Sequence, residues 1–523
     1  MRRLVEFRLM TRIIVFFVLL TCSVGAGRAV EFRLTFPDTV STEPLAGRVY
    51  VFLTDDTAAS PHYGPSPTHQ VPFYAKDVMD WQPGQVLVLD DTAEWFGRAM
   101  KDLRGRYALA AVLDRDETEQ SHLAPGNIYS RKLVRVFGPG AAESIDITLD
   151  RRKEPPQYEE SELQKEVVLP SRRLTAHLGR PVSLKAAVVL PESYHRRPEA
   201  RYPVVYAIPG FGGRHYHIFM GPWNQQRYGM RDHGLEKIFV FLDGDCPTGH
   251  PCYVDSAVNG PWASALAKEL IPHIDANYRT IAAGPVRLLT GQSSGAWAAL
   301  WLQLIYPDTF GGAWAASPDP VDFRSFLGVD LYEGGVNMFT DNAGQERALG
   351  EAGGETLYTY REISDLEDRM GDNGFLATFE AQFSPVGENG QPRRLWDRRT
   401  GAVDPAVVAH WRQFDICLRL REQWPALKDK LAGKLFIYVS AAEEADLCTP
   451  VRRLDEAMKE LDADVFVRIL DEGGHGDGVW RQIIDQVHEQ MDRRLRTAYP
   501  LLQSPAPAGA AAPATAPASV PKN

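Results

Sequence analysis

The chain has 523 residues, 44% of them hydrophobic and 24% charged, a globular composition too long for one ordinary domain. Its net charge of −11 combines a cationic start, with five Arg and one Glu in residues 1–29, and a remainder of 52 basic and 67 acidic residues. An acidic body of this kind argues against a nucleic-acid partner, and the composition excludes collagen, coiled coil, a disulfide-dense miniprotein and a multi-span membrane protein.

The apolar run Ile13 to Leu20 follows Arg12 and leads to Gly27-Arg28-Ala29, a small-x-small cleavage site. Residues 1–29 therefore read as a secretory signal, and the mature protein is expected to be secreted or periplasmic. Eight strongly apolar residues are short for a hydrocarbon core of roughly 30 Å. Leu19-Leu20-Thr21-Cys22 also resembles a lipoprotein box, so membrane association is expected only if this segment is lipidated or left uncleaved. Removal of the signal leaves Cys246, Cys252, Cys417 and Cys448, an even number for an oxidising compartment. Pairing Cys246 with Cys252 and Cys417 with Cys448 is one of three connectivities, and free buried thiols are the alternative.

Residues 30–150 carry short β-rich runs, Val30 to Leu34, Arg48 to Leu53, Gln85 to Leu89 and Tyr107 to Leu113, separated by turn clusters. This spacing predicts a β-sandwich. It holds no catalytic motif and reads as a binding or packing module. Residues 151–164, charged and Pro-containing without an apolar face, read as a linker. From 165 to 500 the rhythm changes to strands (Val204 to Ile208, Ile238 to Leu242, Val286 to Thr290, Leu435 to Val439, Val465 to Leu470) alternating with helices at about Trp262 to Tyr278 and Gly295 to Tyr306. That alternation predicts an α/β domain with a mainly parallel sheet. Residues 319–434 break the rhythm and read as a cap-like insertion. Residues 501–523, rich in Pro and Ala, read as a disordered tail.

The sharpest motif is Gly291-Gln292-Ser293-Ser294-Gly295, directly after one predicted strand and before one predicted helix, the context of a nucleophile elbow. Ser293 then needs a base beyond a later strand. Gly473-Gly474-His475-Gly476 supplies His475 after the strand ending at Leu470. The acid is expected after the strand ending at Val439, where Glu443, Glu444 and Asp446 all stand; position favours Glu443, with Asp446 the rival and Glu444 third. The turn Gly210 to Gly213 follows another strand, and the N–H groups of Phe211 or Gly212, with that of Ser294, are candidates for an oxyanion hole. His215-Tyr216-His217 and Asp243-Gly244-Asp245 lack a full ligand set, so no metal and no cofactor is expected.

Across residues 165–497 these motifs resemble the esterase D-like branch of the α/β-hydrolases, the group of bacterial esterases that includes enterochelin and feruloyl esterases. The similarity rests on Tyr202 to Tyr206 with the Gly-Phe-Gly-Gly turn, Lys268 to Ile274 with Tyr278-Arg279-Thr280, the elbow, Tyr306 to Gly312, and Gly474-His475-Gly476. The resemblance implies an α/β-hydrolase fold and a serine esterase. Its acid pattern, Gly-x-x-Asp-x-x-x-Leu, aligns with Ser440 to Leu447 and selects Glu443, with Ser in place of Gly and Glu in place of Asp. Pro209 stands where many members have His. In such proteins the segment corresponding to Val254 to Trp262 borders the active site, which makes Asp255, Ser256 and Asn259 candidate substrate contacts; helix capping is the competing reading of Ser256 and Asn259.

The sequence thus points to an exported serine esterase acting through an acyl-enzyme on a small-molecule or glycan-linked ester. Acyl transfer to a sugar or lipid acceptor, and carbohydrate or cell-surface binding on a hydrolase scaffold, are the alternatives. The oligomeric state is not legible.

Overall fold

The computed structural model describes residues 30–115, 118–138, 143–221, 225, 234–371 and 374–503. The expected signal segment and residues 504–523 of the expected tail lie outside these. Among the described residues no helix is long and apolar enough to cross a membrane.

The larger domain is organised by an eight-stranded sheet: β1 (Gln164–Pro170), β2 (Ser183–Val189), β3 (Val204–Ile208), β4 (Ile238–Leu242), β5 (Arg287–Gln292), β6 (Gly312–Ala316), β7 (Leu435–Ser440) and β8 (Val465–Leu470). Its spatial order is β1-β2-β4-β3-β5-β6-β7-β8. The β1/β2 and β2/β4 pairs are antiparallel, and every pair from β4 across to β8 is parallel. The sheet is therefore mixed at one edge and parallel through its centre. Strands β3 to β6 are buried along their whole length, as helices on both faces of a parallel sheet require. Two apolar clusters lie on its two faces. One contains Leu289, Trp297 and Leu302 against the cap; the other contains Leu288, Trp314 and the inward side of helix Asp477–Ala498.

The helix expected near 262–278 runs from Trp262 to Asn277 through one π-helical stretch, with Leu266, Leu270, Ile271 and Ile274 on its buried face. Strands β1, β2 and β6 carry no expectation from sequence. In β6 the run Gly-Ala-Trp-Ala-Ala has no β-branched residue, and its strand state comes from burial between β5 and β7.

Residues 319–434 are structured throughout their described part and contain a hairpin (Ala348–Ala352 with Glu355–Thr359) and helices Tyr360–Met370, Phe375–Phe383, Pro405–Trp411 and Ile416–Leu431. The last of these packs beside the elbow helix and helix Cys448–Glu460, so the final part of the expected insertion belongs to the helix layer of the sheet. Asp415 caps it by accepting from Leu418 N. An aromatic cluster (Phe323, Phe326, Phe379, Phe383, Trp411) joins the cap to Trp297 on the elbow helix, with ring centroids 5.0–6.1 Å apart.

The first domain has a three-stranded sheet (Leu87–Leu89, Glu31–Thr35, Ser144–Thr148) and a seven-stranded sheet built on Leu45–Thr54, Phe73–Trp81 and Gly105–Asp114. Phe32, Leu34, Ile145 and Ile147 from one sheet share a core with Val49, Val51 and Leu109 from the other. The expected linker is more ordered than its composition suggests. Arg151–Arg152 pairs with Ile128–Tyr129, and Tyr158 stacks on Phe219 at 4.8 Å, so one aromatic ring supplies the apolar contact the charged run lacks. The four cysteines 246, 252, 417 and 448 are free thiols, so neither expected bridge is formed. Three of them are buried, which raises their pKa and keeps them unreactive.

Candidate active site

The elbow is built by close approach. Ser293 follows β5 with φ 56° and ψ −127°, a conformation that a non-glycine residue adopts only under constraint. Its N–H donates to Ala316 O of β6 at 3.0 Å, and its carbonyl accepts from Ala296 and Trp297 in the helix Ser294–Ile305. The flanking glycines are required by space. A Cβ on Gly291 would lie 2.2 Å from Gly295 O, and one on Gly295 would lie 2.2 Å from Ile208 O and 2.3 Å from Pro209 O. Gly295→Ala is therefore expected to force the elbow away from β3 and to lower stability by about 1–3 kcal/mol, read as a lower Tm in thermal denaturation.

His475, in the turn after β8, meets Glu443, in the turn after β7: Nδ1 to Oε2 is 2.6 Å. The Glu443 side chain is only 1% exposed, and its other oxygen accepts from Ser317 Oγ and from Ser440 N. Burial disfavours the His475 cation, yet the hydrogen bond and charge of Glu443, with the charges of Asp319 and Glu444, outweigh it and raise the pKa above the usual histidine value. The other two carboxylates of the loop have other work. Glu444 accepts from His475 N at 3.3 Å, and its carbonyl accepts from Glu351 of the cap hairpin. Asp446, the rival acid, accepts from Ser325 Oγ at 2.9 Å and from Thr449 N in the first turn of the following helix at 3.1 Å; among the described residues the side chains hydrogen-bonded to His475 are those of Glu443 and Glu444.

Ser293 and His475 line one cavity of about 930 Å³. The turn Gly210 to Gly213 borders it too, packed so closely that a Cβ on Gly210 would lie 3.1 Å from Ser293 Cβ. Among the described residues no backbone hydrogen bond takes up the N–H of Phe211, Gly212 or Ser294, the three oxyanion candidates. The turn is pinned from behind by His250, a residue that sequence reasoning missed. Its Nδ1 accepts from Cys252 N at 2.9 Å, so Nε2 carries the proton and donates to Pro209 O at 3.0 Å. Complete burial drops its pKa to about 4 and keeps the ring neutral.

A second residue missed from sequence stands closer to the nucleophile. Asp319, just beyond β6, is 7% exposed, and its Oδ1 accepts from Ser293 Oγ at 3.3 Å. Burial pushes its pKa up to about 6, against the pull of hydrogen bonds from Ser294 and Ser293 and of the His475 charge. Its position at the end of the strand beside the elbow is the signal that could have found it, had β6 been legible as a strand.

The candidate substrate contacts Asp255, Ser256 and Asn259 are corrected by the structure, because none lines the cavity. Asp255 accepts from Ser264 N and Oγ at 2.8 and 2.6 Å, Ser256 Oγ donates to Ala381 O of the cap at 2.8 Å, and the Asn259 carbonyl accepts from Trp262 Nε1 at 3.0 Å. They fix the entry of a helix and anchor the cap. His215 lies between Asp243 (3.0 Å) and Glu166 (2.7 Å), and among the described residues no group of three or more His, Cys, Asp or Glu is arranged to hold a metal ion.

A family model described as "Putative esterase" matches residues 178–491, more than half of the chain. A sequence comparison with curated proteins returns no match. Solved structures similar to the chain include an S-formylglutathione hydrolase from Agrobacterium tumefaciens (15% identity, 65% of this chain and 98% of that one, TM-score 0.40). A fluorophosphonate-binding serine hydrolase of Staphylococcus aureus (11%, 63% and 98%, TM-score 0.39) and the enterobactin esterase of Shigella flexneri (12%, 88% and 92%, TM-score 0.32) are others. The family match covers the eight-stranded sheet from β2 onward together with Ser293, Glu443 and His475, and the chain belongs to the esterase family of α/β-hydrolases, serine ester hydrolases.

Proposed function

We infer that the protein hydrolyses a carboxylic ester through an acyl-enzyme formed on Ser293. The observation that carries this reading is the convergence of strand ends: the strained serine after β5 and His475 after β8 line one cavity beside the turn that follows β3, and the buried Glu443 after β7 holds His475 Nδ1. In the catalytic sequence the Ser293 hydroxyl swings from Asp319 to His475 Nε2, which takes its proton as Oγ attacks the ester carbonyl. Glu443 holds Nδ1–H and stabilises the imidazolium so formed. The N–H groups of Phe211 or Gly212, together with Ser294, receive the oxyanion, and the protonated His475 then supplies the leaving alcohol with its proton. Water repeats the sequence in reverse. No cofactor takes part in these steps. Residues 1–29, with the Arg-led apolar run and small-residue cleavage site, support export to the periplasm or medium.

The test is covalent labelling. A fluorophosphonate is expected to modify the full-length protein once, on the peptide containing Ser293, and to leave Ser293→Ala unlabelled. Equal labelling of the two proteins would remove Ser293 from the mechanism.

A further inference from the structure

The first domain meets the larger domain at the catalytic cavity and at the cap, and both contacts are more than surface packing. Residues 65–68 and 120–122 of that domain line the cavity that holds Ser293. Beside them Glu119 accepts from Arg214 Nη1 and Nη2 at 2.9 and 2.8 Å. Arg214 directly follows the turn Gly210 to Gly213, has an 8% exposed side chain, and also binds Asp243 (3.1 Å) and Asp245 (3.2 Å). A bidentate pair held this far from water fixes orientation as well as distance. At a second contact, away from the cavity lining itself, Arg48 Nη2 and Tyr50 OH of the first domain donate to the carbonyls of Arg369 and Met370, at the end of the cap helix Tyr360–Met370. That helix sends Ile363, Leu366 and Met370 into the same cavity.

The cavity is mostly apolar, and two of its lining residues, Phe211 and Leu357, leave 37% and 47% of their surface open. Its 930 Å³ is near the top of the range of roughly 300–1,000 Å³ that encloses drug-sized ligands, and far exceeds the needs of an acetyl ester. We propose that the first domain is a fixed wall of the substrate site, set by the Glu119–Arg214 and Arg48–Arg369 contacts, and that the site selects esters carrying a bulky apolar group. The proposal rests on the ester-hydrolase reading above. Such a group extends from Ser293 into the space lined by Pro65, Pro67 and Thr68 of the first domain and by Leu357 and Met370 of the cap, and binding it covers apolar surface that a short ester leaves wet.

The full chain is assayed with p-nitrophenyl octanoate against p-nitrophenyl acetate, and with octyl acetate against ethyl acetate, so that the acyl and alcohol sides are tested separately. At least one pair is expected to favour the long ester by about tenfold or more in kcat/KM. Thr68 is exposed at the cavity mouth, and Thr68→Trp, with Ser66→Trp as a second variant, is expected to reduce that long-to-short ratio by about tenfold. A ratio near one in both pairs, or a ratio unchanged in both variants, overturns the proposal. Failure of the underlying reading looks different: neither ester length is turned over and Ser293 takes no fluorophosphonate. In that event the wall is read by binding of the apolar fluorophore 1-anilinonaphthalene-8-sulfonate to Ser293→Ala. Binding that weakens about tenfold on adding Thr68→Trp supports a first-domain wall, and binding that stays the same refutes it.

Discussion

Glu443→Gln is expected to lower kcat for ester hydrolysis by about 10³–10⁴-fold while leaving the protein folded. The direction follows from the hydrogen bonds around the carboxylate. Oε1 accepts from Ser317 Oγ and Ser440 N, two donors that fix the carbonyl oxygen of the glutamine in the same place. The amide NH₂ is then aimed at His475 Nδ1, where the wild-type protein has a carboxylate oxygen 2.6 Å away. His475 responds by accepting at Nδ1 and carrying its proton on Nε2, so that the nitrogen facing the cavity cannot take a proton from Ser293. The pH profile distinguishes this from general damage. Glu443 raises the His475 pKa, and a general base works only when neutral, so wild-type kcat/KM rises with pH through a pKa above the usual histidine value. Without the carboxylate that limb moves to lower pH as the plateau falls. Asp446→Asn, in which only the contacts to Ser325 and Thr449 change, is expected to keep its plateau close to wild type. Steady-state rates from pH 5 to 9 on the three proteins decide the matter. A limb that stays in place in Glu443→Gln would remove Glu443 from its contact with the base.

What the sequence disclosed of the site is what local chemistry makes visible. Gly291 and Gly295 are forced by backbone contacts near 2.2 Å, and such a constraint leaves a motif. β3, β4, β7 and β8 are rich in Val, Ile, Phe and Tyr, the residues that fit a pleated, half-buried surface, and with them come the positions of His475 and the 443–446 carboxylates. β6 has no such signature, so Asp319 at its end read as the start of an insertion. Asp255, Ser256 and Asn259 misled for the opposite reason: polar side chains clustered before a helix serve its first turn as readily as a ligand, and only the fold shows Ser264 and Ala381 as their partners. The reach of the first domain was hidden more completely. Glu119 and Arg214 are 95 positions apart in different domains, and neither lies in a periodic segment, so no pattern connects them.

Asp319→Asn is expected to stabilise the protein, and to do so only where the wild-type carboxyl is ionised. Burial lifts the Asp319 pKa from the ordinary 3.8 to about 6, so the folded state holds this proton more tightly than the unfolded chain. With the folded value raised, the favourable contribution is complete below about pH 4 and is lost as pH climbs through about 6. Above that, a carboxylate is kept in a buried site beside Ser293 at a cost on the order of 3 kcal/mol, the equivalent of about two pKa units. Asparagine has the same shape, keeps an oxygen to accept from Ser293 Oγ, and does not titrate. The variant should therefore melt several degrees above wild type at pH 8, with the gap closing toward pH 4. Ser293, Ser294, His475, Glu443 and the buried Cys252 thiol all sense Asp319, and of these the His475 cation is favoured in part by the Asp319 anion. Removing that anion moves the acid limb of kcat/KM to lower pH, as in Glu443→Gln, but with the His475 tautomer and most of the plateau preserved. A melting gap independent of pH would mean that the carboxyl stays protonated throughout, and would assign Asp319 to packing alone.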